Sequence, residues 1–179
     1  MIKKIVIFML LFFLPQIAEA QVTIVELNEK LSVQETLDAY NRHVDFPLQI
    51  HGTFYKSKAP NTYIDSYTAV GENNFRMIVY RNKIGYICNV GAMVPDIYPR
   101  STVKEVGKAL LLAAMGANCD IPSSQNDQLK RLDRLVENSI NGTFDHVVYK
   151  PLNRSYTIFI SRDEIVDMWM ITCYAYIDE

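Results

Sequence analysis

Glycine is scarce in this chain, seven in 179 residues. None of them builds a phosphate-cradling loop, a dinucleotide fingerprint or a Gly-x-Ser-x-Gly elbow, which removes the usual signatures of nucleotide binding and of the hydrolase nucleophile. Histidine is scarcer still. His43, His51 and His146 are the three present, and none has a histidine, cysteine or carboxylate partner at a zinc-binding spacing, so neither a metal nor a cofactor is expected. There is no excess of positive charge: the formal net charge is −2, whereas a nucleic-acid partner calls for a basic patch that displaces counterions from phosphates. The densest basic group, Lys130, Arg131 and Arg134, reads as the solvated side of a helix. No apolar run reaches the roughly 20 residues of a bilayer-spanning helix.

What the chain does have begins with its first twenty residues. Lys3 and Lys4 form a basic n-region, Ile5–Leu14 an unbroken apolar stretch, and Ala18-Glu19-Ala20 a small-x-small cleavage site, the pattern of an export signal removed after Ala20. Its loss from 179 residues leaves 159 and moves the charge to −3, because two lysines and one glutamate go with it. That length fits one domain able to bury about 70% of its unfolded surface. A periplasmic or secreted location follows as an expectation, and with it oxidised sulfur. Cys88, Cys119 and Cys173 are an odd set, so one disulfide and one leftover thiol are expected, with Cys119 favoured as a partner because a loop cysteine reaches a strand most freely.

Hydrophobic periodicity organises the rest. Ser32-Val33-Gln34-Glu35 reads as a capping box opening a helix over roughly 33–43. From 48 to 90 the period is two. Leu48, Ile50 and Phe54 mark a first strand, Tyr63–Val70 a second, and Asn82-Lys83 a two-residue turn that sets Val79 opposite Tyr86 and Met77 opposite Cys88. In that register Phe75, Met77, Val79, Tyr86, Cys88 and Val90 share a core face with Ile64, Thr68 and Val70, while Tyr63, Tyr67, Ile78, Tyr80 and Ile87 share the other. A second capping box at Thr102–Glu105 and a stripe through Val103, Val106 and Leu110 predict an interior helix. Ser124 opens another, carrying Leu129, Leu132, Leu135, Val136 and Ile140 and ending at Gly142. Strands return at about 144–149, 156–161 and 168–177. Strand-dense ends around a helical middle predict an α+β domain: a mainly antiparallel sheet, meander about 48–90 and C-terminal strands about 143–177, with an N-terminal helix and a central helical pair packed on one side.

Chemistry is thin by comparison. Asp163, Glu164 and Asp167 sit in the expected turn between the last two strands, without the spacing of a calcium loop. Asn141 and Asn153 begin glycosylation-type triplets in expected loops. The most suggestive feature is the final strand, with Trp169, Ile171, Cys173, Ala175 and Ile177 on one face and Met168, Met170, Thr172, Tyr174 and Tyr176 on the other. Adaptable methionine and rigid tyrosine are the residues of a contact surface. Tyr63, Tyr67, Tyr80, Tyr174 and Tyr176 are therefore the candidate binding residues. They point to a non-enzymatic interaction module such as an inhibitor, immunity factor or assembly accessory, with another protein as partner. A carrier of a small apolar ligand or lipid is the alternative, and a secreted hydrolase using His51 or His146 comes third.

Overall fold

The computed structural model describes residues 22–25, 27, 32–58, 65–82, 84–116, 126–149 and 153–178. The leader at 1–20, Tyr63, Cys119 and Ser124 lie outside them. The described chain runs β1 (Val22–Val25), α1 (Val33–Asn41), β2 (Tyr55–Lys58), β3 (Asp65–Val70), β4 (Arg76–Arg81), β5 (Ile87–Pro95), α2 (Arg100–Ala114), α3 (Asn126–Ile140), β6 (Val147–Tyr149), β7 (Arg154–Asp163) and β8 (Met168–Asp178). The strands form one antiparallel sheet in the order β2-β3-β4-β5-β8-β7-β6, and β1 pairs with β8 beyond the start of β5. This is the expected α+β arrangement. None of the helices is long and apolar enough to cross a membrane, among the described residues.

The strand alternation divides the sheet into two faces. Ala69, Met77, Val79, Val90, Ala92, Val94, Tyr156, Ile158, Ile160, Ile171 and Cys173 lie on the first and are buried in one cluster with the apolar stripes of the helices. The helices meet that face closely. A Cβ on Gly107 of α2 would stand 3.3 Å from Ile158, Ile160 and Val136 at once, so the glycine lets α2 settle against β7 and α3 together. Helix α3 also finishes the free edge of β7, where Ser139 Oγ accepts the Ile160 N–H at 2.9 Å. At the far end of the sheet, Asp96 takes the Trp169 indole N–H at 3.1 Å and pairs with Arg162, tying the end of β5 to the β7–β8 hairpin.

Local signals act as expected where they are strongest. Ser32 Oγ accepts the Glu35 N–H at 3.1 Å and the Glu35 carboxylate accepts the Ser32 N–H at 2.7 Å, closing the capping box of α1. These two bonds favour the ionised carboxylate and hold it below its ordinary range. The Thr102–Glu105 box does not form, because α2 starts earlier, at Arg100, with Pro99 as its N-cap. Proline there costs no hydrogen bond and its fixed φ suits the approach to a helix.

Three strand expectations are corrected. Residues 48–54 form no strand, although Leu48 and Ile50 are buried. Side chains of α1 take the place of a neighbouring strand: Asn41 donates to the Ile50 carbonyl at 2.8 Å and accepts its N–H at 2.9 Å, while the Tyr40 hydroxyl donates to the Leu48 carbonyl at 3.2 Å. The β4–β5 connection is longer than two residues, with Val79 opposite Val90 and Met77 opposite Ala92. Asn82 Oδ1 stabilises it by accepting the N–H groups of Ile84, Gly85 and Tyr86 at 2.9–3.1 Å, and Gly85 takes a φ of 101° that other residues resist. A bulge after Tyr80 then sends Ile87 into the core and takes Cys88 out of the core row. Finally, Thr68 and Val70 leave the core face. Residues 71–75 separate Val70 from its partner Arg76, which sets Tyr67 opposite Val79 and Ala69 opposite Met77.

Candidate functional site

The second face of the sheet carries a group of aromatic residues. Tyr80 of β4 pairs with Asn89 of β5, and one residue past the paired stretch of β5 and β8, Tyr174 stands on the other side of Asn89. The three form a row across the sheet. Further along, Tyr174 meets Phe159 of β7 edge-on at 5.9 Å between ring centroids, and Phe159 meets Phe144 at 5.9 Å. Tyr176 packs edge-on against the His146 ring, also at 5.9 Å. Residues 144–146 approach this face, since the Thr157 hydroxyl donates to the Asp145 carbonyl at 2.7 Å.

The candidate tyrosines thus separate. Tyr80 and Tyr174 come together, half-buried, on the second face. Tyr176 shares that face but is only 5% exposed, so it forms part of the floor. Tyr67 does not belong there. It lies on the helical face, where Lys56 and Arg81 stand 5.7 and 5.8 Å from its ring centroid. Tyr63 lies outside the described residues. Phe159, 49% exposed, and Phe144 join the cluster, and neither is a residue that sequence reasoning picked. The 144–149 and 156–161 alternations carried that signal, once β7 is known to lie beside β8.

Electrostatics mark the Tyr80 end. Burial, followed by the nearness of Tyr174 and Cys88, pushes the Tyr80 hydroxyl above its ordinary pKa, so it stays a neutral donor through physiological pH. The Cys88 thiol donates to the Tyr80 carbonyl at 3.4 Å. Asn89, between the two tyrosines, is 8% exposed, and its Oδ1 is enclosed without a hydrogen-bond partner. Arg76, at the other end of β4 and on the same face, has an enclosed Nε with no partner.

Among the described residues the expected disulfide is not seen, since Cys88 and Cys173 are not joined; Cys119 lies outside those residues. Register explains it, because Cys173 points into the core opposite Val90 and Ile158 while the bulge takes Cys88 to the other side. Burial raises the Cys173 pKa, keeping that thiol protonated. His51 and His146 are exposed, and among the described residues no three His, Cys, Asp or Glu side chains gather to hold a metal ion. Asp163–Asp167 occupies the β7–β8 turn as expected, with Asp163 accepting the Ile165 N–H at 2.9 Å. Asn141 and Asn153 are exposed, although Asn141 Oδ1 accepts from Arg100 at 2.6 Å. Comparisons with protein families, with curated proteins and with solved structures each gave no match.

Proposed function

We propose that this is an exported, non-enzymatic interaction module that holds a partner protein on the second face of its sheet, as an inhibitor, immunity factor or assembly accessory does. The observation that carries the reading is the asymmetry of the sheet. The helices pack on one face, while the other presents half-exposed Tyr80, Tyr174, Phe159, Met93 and Met170 on central strands. Rings and methionines on rigid strands give large contact area at small entropic cost, the composition of interface hot spots. Residues 1–20 supply the route out of the cytoplasm in this reading.

The test is a pair of truncations, Tyr80→Ala and Tyr174→Ala, in protein carrying an affinity tag and recovered from its own host. Each ring is half-buried and stands away from the helical core, so folding is retained. Loss of about 2 kcal/mol, some thirtyfold in affinity, is expected at a hot spot for whatever protein co-purifies in stoichiometric amount. Equal recovery of that protein by wild type and by both variants would reject the assignment, and a stoichiometric small molecule in native mass spectra would replace it with a carrier.

A further inference from the structure

The second face has a furrow along β5. Three residues of that strand point into this face: Asn89, Gly91 and Met93. On one side stand their β4 partners Tyr80, Ile78 and Arg76, and on the other Thr172 and Met170 of β8, with Tyr174 next in line. Gly91 makes the low point. The β8 backbone comes so close that a Cβ there would lie 2.6 Å from the Ile171 carbonyl oxygen, so the row between Ile78 and Thr172 is empty of side chain. The walls at this point, Ile78 and Thr172, are half-buried.

The two ends of the furrow are polar and unsatisfied, with opposite sign. Asn89 Oδ1 is an enclosed acceptor without a donor, and Arg76 Nε is an enclosed donor without an acceptor. Enclosed orphans are costly and uncommon in folded proteins, and one of each kind on a single sheet face asks for a common explanation. Their residues lie roughly 14 Å apart, from about 3.4 Å of rise over four residues and one interstrand step of about 4.8 Å. An extended polypeptide crosses that span in about four residues and carries both donors and acceptors, which a purely apolar ligand lacks.

We propose that the furrow receives an extended segment of a partner protein: as the Asn89 amide and the Arg76 guanidinium turn to present the two groups enclosed in the free chain, the segment donates a hydrogen bond to Asn89 at one end, accepts one from Arg76 at the other, and lays apolar side chains over Gly91 between them. This rests on the interaction reading above and adds the chemistry of the partner. The face then distinguishes partners by a polar pair set at a fixed separation, and Tyr80 and Tyr174 flank the donor that enters at Asn89.

The test uses the full chain and two near-isosteric variants, Asn89→Leu and Arg76→Met. In the protein alone Asn89→Leu removes an orphan acceptor, so its thermal midpoint rises by roughly 2–6 °C; a structural asparagine would give a fall. The probe is a phage-displayed library of random peptides, with the most enriched sequence then synthesised and titrated by fluorescence anisotropy. Its Kd is expected to weaken tenfold or more in each variant. A lower midpoint for Asn89→Leu overturns the proposal, as does failure of any peptide to enrich on wild type. A peptide weakened by Tyr80→Ala but bound unchanged by Asn89→Leu and Arg76→Met rejects the polar pair and leaves the broader reading standing. A wild-type dimer in sedimentation that Asn89→Leu dissociates would make the occupant a second copy of this chain and overturn the partner assignment.

Discussion

Replacing Asn41 with alanine tests whether a side chain can stand in for a β-strand. Asn41 ends α1 and holds both polar groups of the Ile50 peptide unit at 2.8 and 2.9 Å, and the Ile50 side chain is 1% exposed. Alanine removes two hydrogen bonds, each contributing about 1 kcal/mol net, and leaves an N–H and a C=O partly enclosed at a further cost of about 1 kcal/mol or more. The sum is roughly 2–4 kcal/mol, or about 5–12 °C in thermal midpoint for a domain of this size. Urea unfolding followed by the emission of Trp169, the single tryptophan, gives the number directly. Asn41→Asp sharpens the measurement, because it keeps the acceptor for the Ile50 N–H and sets a second oxygen against the Ile50 carbonyl. It should cost at least as much as alanine at neutral pH. An Asn41→Ala protein within about 0.5 kcal/mol of wild type would refute the reasoning, since the 44–50 segment would then be held without the Asn41 bonds.

Gly91→Ala places a methyl against the β8 backbone, which cannot step aside as a side-chain tip can. A loss of about 1–3 kcal/mol in urea is expected, and an unchanged midpoint would mean that β5 and β8 are farther apart than described. Alkaline pH removes stability through Cys173 and Tyr40, whose pKa values burial raises in the folded state. Because the folded values lie above the unfolded ones of about 8.5 and 10, their contribution is whole below pH ~8 and declines above it by up to about 1.4 kcal/mol per pH unit for each group. Stability that stays level from pH 7 to 11 would contradict their burial, and Cys173→Ala should delay the onset of the decline.

Fold class was legible because amphipathic stripes are local. The Ser32 box and the Leu132–Leu135–Val136 stripe of α3 are readable within one or two turns, and so is the division of β8 into its Trp169 and Tyr174 faces. Register was not, because it depends on how many residues a connection spends. The longer loop after Arg81 and the bulge at Tyr80 moved Ile87 and Cys88 to opposite sides from those expected, and the 71–75 connection moved Tyr67 to the core face. The candidate site suffered for the same reason. Tyr80 and Tyr174 were visible as residue types, but Asn89, Gly91 and Arg76 acquire meaning only when β5 is set between β4 and β8, a nonlocal pairing that no short window of sequence contains.

An interior position in the sheet, between β5 and β7, belongs to β8, which follows every other described strand in chain order. During synthesis the β2–β5 meander emerges first and must wait for its neighbour with one edge unprotected. About 80 residues separate the end of β5 from the end of β8, so at ~5–20 residues per second the wait lasts several seconds. A nascent chain in this condition is an open template for stray strand pairing.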